Sequence, residues 1–72
     1  MPELQLLSVV ALLEDLPEKG LRRGQVGTIV ELLSPDIYEV EFSDDAGRTY
    51  ASVAISATHL LPLIHEPEYR AA

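Results

Sequence analysis

Alternation of apolar and polar side chains is sharpest between Gly24 and Tyr50. Tyr38, Val40 and Phe42 interleave with the carboxylates of Glu39 and Glu41, the period-two pattern of a strand with one face buried and the other in water. Upstream, Val26, Thr28, Val30 and Leu32 share one side of a run from Gln25 to Leu33, in which Gly27 suggests a bulge or a sharp bend. Ser34-Pro35-Asp36 turns the chain between the two runs. Centring a hairpin on Pro35 pairs Leu32 with Tyr38, Val30 with Val40 and Thr28 with Phe42 on the inner side. The outer side then sets Glu31 across from Glu39 and Ile29 across from Glu41. Like charges directly opposite cost stability unless a cation or water attends them.

The same reading extends in both directions. Ser8 to Leu13 is apolar on both faces, which implies a strand covered on two sides; the adjacent Val9 and Val10, with Pro17 and Gly20 as breakers, favour strand over helix. Glu14 to Arg23 reads as a polar loop closed by Gly24. Asp44-Asp45-Ala46-Gly47 is a second turn, with aspartates that can bond their own backbone and a glycine for the left-handed position. It leads into a fourth strand, Thr49 to Ile55. With Ser43 opposite Arg48, this strand sets Thr49, Ala51 and Val53 against Phe42, Val40 and Tyr38, and places Tyr50 and Ser52 outside with Glu41 and Glu39. Ser56-Ala57-Thr58 suits a single 3₁₀ turn. A short last strand, about His59 to Leu63, tolerates Pro62 at a sheet edge. The expected organisation is a lead-in at 1–7, one all-β unit at 8–63 and a tail at 64–72.

Size and charge narrow the setting. A chain of 72 residues is one small domain, burying only about 60% of its unfolded surface, so its stability is slim unless self-association helps. There is no cysteine. Disulfides and thiolate zinc sites are excluded, which fits a reducing cytoplasm. The longest apolar run, Val9 to Leu13, falls far short of the roughly 20 residues that span a bilayer, and Met1-Pro2-Glu3 lacks the basic start of a signal peptide. A cytoplasmic location without membrane contact is the expectation. Twelve acidic against five basic side chains give a net charge of −7. Nucleic acid is repelled at long range and a basic protein partner is favoured, although solubility alone is an adequate use for such a charge.

Five strands, a long first loop, a tight hairpin and a 3₁₀ turn before a short last strand make up an SH3-like barrel. The wording VVALLEDLPEKGLRRGQVGTIVE followed by YEVEF, GRTYA and HLLPL resembles a family of short bacterial proteins known only as a domain of unknown function, over roughly Val9 to Leu63. That resemblance implies the barrel and no biochemistry. The stretch GQVGTIVE is also similar to the glycine-centred loop and strand of KOW-type barrels, which often bind RNA or ribosomal and transcription proteins. Acidity and the lack of an aromatic-plus-basic platform set this chain apart, so RNA binding is carried to no residue here.

Catalytic and metal chemistry finds little support in the side chains. His59 and His65, with Glu66 and Glu68, match no metal-ligand spacing. Asp44 and Asp45 belong to a turn, and Glu14 and Asp15 begin a loop. A barrel of this size has no deep cleft, so neither an enzyme nor a cofactor is expected. Two places remain as partner-binding candidates. One is the outward patch of Glu31, Glu39, Glu41, Tyr50 and Ser52, flanked by Ile29, where an aromatic ring beside carboxylates suits an Arg- or Lys-bearing partner; its plain alternative is ordinary solvent surface. The other is Arg22 and Arg23, with Lys19, on the first loop, whose neighbours Glu14, Asp15 and Glu18 nearly cancel them. The chain reads as a non-catalytic protein-interaction module. The alternatives are a self-associating homo-oligomeric unit, built on the first and last strands, and an antitoxin-like inhibitor that fills the groove of a basic nuclease.

Overall fold

The computed structural model describes residues 4–64. They form strands β1 (Val9–Leu12), β2 (Val26–Ser34), β3 (Ile37–Ser43), β4 (Thr49–Ser56) and β5 (Leu60–Pro62), with 3₁₀ turns at Pro17–Lys19 and Ala57–His59. All strand pairs are antiparallel, in the order β4-β3-β2-β1-β5. The all-β fold, its five strands and the 3₁₀ turn before the last one are as the sequence pattern predicts. Closure of the sheet is not: no ladder joins β4 to β5, and both remain edges.

With no α-helix among the described residues, a single sheet can hide side chains only by bending over itself. The core draws on every strand: Val10 and Leu12 of β1, Ile29 of β2, Tyr38, Val40 and Phe42 of β3, Ile55 of β4 and Leu60 of β5. Gly27 makes room for it. A Cβ at this position would stand 2.7 Å from Val40 Cγ1 and 3.0 Å from both Glu41 O and Phe42 Cδ2. The glycine therefore marks a close approach of side chains, in place of the bulge or bend expected there.

The bulges lie further along the same strand. Ile29 pairs with Val40 but Glu31 pairs with Glu39, so Val30 is an extra residue; Leu33 is another, between the pairs Leu32 with Tyr38 and Ser34 with Ile37. A single extra residue exchanges the two faces of everything beyond it. The predicted pairs Leu32 with Tyr38 and Glu31 with Glu39 are present, while Val30 with Val40 and Thr28 with Phe42 are not. Ile29 is fully buried and Val30 is exposed, the reverse of the expected arrangement, so Ile29 flanks no outer patch. Pro35 and Asp36 form a two-residue loop in which neither has a positive φ. Such a turn is mismatched to the twist of its strands, and the bulge at Leu33 takes up the difference.

The second hairpin behaves as its residues demand. Gly47 has φ of +82°, and Asp44 Oδ1 accepts hydrogen bonds from the backbone N–H groups of Ala46 and Arg48, each at 2.9 Å. Its ladder is two residues out of step with the expected register: Phe42 pairs with Ala51, Val40 with Val53 and Tyr38 with Ile55, and an irregularity at Tyr50 separates this run from Ser43 with Thr49. Two further expectations need correction. β1 buries Val10 and Leu12 on one face and Ala11 on the other, but the cover expected up to Leu13 stops short of it, and Leu13 is exposed. The first loop is not wholly polar: Leu16 and Leu21 form a backbone bridge across it, and Leu21 sits fully in the core. Pro17–Lys19 makes the turn between them. The lead-in is also tied down. The N–H of Leu7, a residue held at φ of +69°, donates to Ile29 O at 2.7 Å. A side chain in that conformation costs about 1–2 kcal/mol.

Candidate functional site: the outer face of the sheet

Register places the outer side chains in rows across the strands, because directly paired residues share a face. Leu61, Ala11 and Val26 make one row over β5, β1 and β2; Val9, Thr28, Glu41 and Ser52 make a second from β1 to β4; Glu31, Glu39 and Ala54 make a third over β2, β3 and β4. The face is thus apolar at one end and acidic at the other. Val26 and Leu61 are each about half exposed, as is the adjoining Leu13.

The acidic end brings together four of the predicted residues, Glu31, Glu39, Glu41 and Ser52. The Ser52 hydroxyl donates to Glu39 Oε2 at 2.6 Å, fixing the carboxylate although Ser52 pairs by backbone with Glu41. Two contacts between a basic and an acidic side chain occur among the described residues, the ion pair of Arg48 with Asp44 and the approach of the His59 imidazole to Glu14. Neither involves these glutamates. The Glu31–Glu39 pairing, set by the ladder, therefore has no described cation to offset it.

Tyr50 departs from the expected patch. It falls at the irregularity in the β3–β4 ladder, with no cross-strand partner. Its hydroxyl accepts a hydrogen bond from Gln25 Nε2 at 3.0 Å, and its ring centroid lies 6.4 Å from that of Phe42. The ring thus caps the end of the core next to the start of β2, while Ser52 takes the place beside Glu41. That exchange follows from the two-residue shift in register.

Arg22 and Arg23 are exposed on the first loop, as predicted. Two of the three cancelling carboxylates are turned to other groups: Asp15 Oδ1 accepts from the backbone N–H of Arg23 at 2.8 Å, and Glu14 Oε1 lies 3.0 Å from His59 Nδ1. No guanidinium on this loop forms a described ion pair. His59 thereby ties the second 3₁₀ turn to the end of β1, a link that neither residue's neighbours in sequence announce. His65, Glu66 and Glu68 lie outside the described residues, among which no three potential ligands converge. No acidic or basic side chain is buried among those described. Nor does any described helix have the length and apolarity to cross a membrane.

No curated protein and no solved structure matches the chain. Residues 6–62, from the lead-in to the end of β5, match the family described as Domain of unknown function (DUF4926), and the chain belongs to that family.

Proposed function

We propose that this protein is a non-catalytic interaction module that docks a basic protein segment on the acidic end of its outer sheet face. The observation that carries the reading is the trio Glu31, Glu39 and Glu41: one face, adjacent rows, and no described cation beside them. A rigid sheet that holds like charges together is stabilised when a partner supplies Arg or Lys, which also steers the encounter in a chain of net charge −7. The neighbouring Leu61 and Val26, each about half exposed, give the same partner apolar surface to cover. Absence of cysteine suits work in a reducing cytoplasm.

Affinity capture with the tagged chain tests this. Basic proteins retained by the wild type should be lost with Glu39→Lys and Glu41→Lys, and kept with Arg22→Ala and Arg23→Ala. Capture that is indifferent to the glutamate reversals removes the acidic face from the account.

A further inference from the structure

Three stretches of backbone lie open along the described sheet, and they are unlike. β5 is three residues long and ends in Pro62, which has no N–H to donate. The far part of β2, beyond Ile29, whose backbone is bonded to Leu7 and Ser8, is broken by the extra residues Val30 and Leu33, and bulges twist an edge away from would-be neighbours. β4 carries no such protection where it is longest. From Ala51 to Ser56 it keeps unbroken register with β3, and Thr49–Ser56 contains no charge, proline or glycine. Among the described residues, no loop backbone bonds to its outer side.

The core is open along the same line. Phe42 and Val40 are fully buried, yet Ala51 and Val53, their β4 partners on the same face, are only half-buried. An added strand covers both and satisfies the unpaired N–H and C=O groups of β4.

We infer that the occupant is β4 of a second copy of this chain, the two strands running antiparallel about a two-fold axis and joining both sheets into one. Charge decides the choice. β4 gives a basic partner nothing to pair with, whereas an uncharged strand is matched by another uncharged strand. Ala51, Ser52 and Ala54 are small enough to sit opposite the residues of the second strand without collision. The net charge of −7 does not forbid the contact. Glu39 and Glu41 stand on β3, so facing carboxylates are three strand spacings apart, about 14 Å, beyond the Debye length of about 8 Å at physiological salt. This interface leaves the Glu31–Glu39–Glu41 surface free and does not depend on its function.

Sedimentation of the full chain at about 100 µM tests the inference. The wild type should be a dimer, and Ala54→Lys should weaken it by roughly tenfold or more with an unchanged circular dichroism spectrum. Because the chain lacks cysteine, single substitutions report proximity directly: Ser52→Cys or Ala54→Cys should cross-link two copies through a short bifunctional thiol reagent, and Glu18→Cys should not. A monomeric wild type overturns the inference. So does a dimer that Ala54→Lys leaves intact, and, should that variant misfold, so does the failure of both β4 cysteines to cross-link.

Discussion

Glu31 and Glu39 stand directly opposite one another across β2 and β3, and Ser52 donates to the second of them. Like charges in this relation destabilise a ladder that opposite charges would support. Glu31→Lys should therefore raise stability by about 0.2–1 kcal/mol, with the gain shrinking as salt is added. Combining it with Glu39→Lys restores repulsion and should cancel the gain. Thermal unfolding of the four proteins at low and high salt measures the coupling.

The bulge at Val30 exchanges the roles of two adjacent residues of nearly equal hydrophobicity. Ile29→Ala should cost about 2–5 kcal/mol as a buried truncation, whereas Val30→Thr should stay within about 0.5 kcal/mol. Urea denaturation compares them. Equal losses would mean that the ladder runs through Val30 without interruption.

Gly27 is held by contact. Gly27→Ala puts a methyl group against Val40, Glu41 O and Phe42, and overpacking of this kind costs about 1–3 kcal/mol. Val40→Ala in the same chain relieves the nearest clash, so the double variant should lose less than the sum of the two single losses. Calorimetric unfolding of the set supplies the test.

These positions also show where the sequence could be read and where it could not. β3 was legible because Tyr38, Val40 and Phe42 share one parity and the carboxylates of Glu39 and Glu41 stand between them, with Ile37 alone out of pattern at its start. The second turn was legible because Asp44 and Gly47 each have a local task that few residues perform. In β2, apolar side chains fall on both parities, so period alone does not choose between Ile29 and Val30. The choice came from the extra residue Val30, which shifts the register between the pairs Glu31 with Glu39 and Ile29 with Val40 and which no turn residue beside it announces. Both hairpin registers downstream depended on such irregularities, which is why Glu31, Glu39 and Glu41 were grouped correctly while Tyr50 and Ile29 were not. Leu21 escaped notice among charged neighbours. Its signal was a symmetrical one, a leucine on either side of the Pro17–Gly20 turn.

The acidic outer face is the centre of the functional account, and comparative capture examines it most directly. Wild type, Glu39→Lys and Glu41→Lys should be immobilised at equal density, exposed to the same lysate and washed at low salt, and the bound proteins quantified by mass spectrometry. The account predicts a basic protein enriched on the wild type, released by moderate salt and reduced on both variants. An identical set at equal yield on all three surfaces would contradict it.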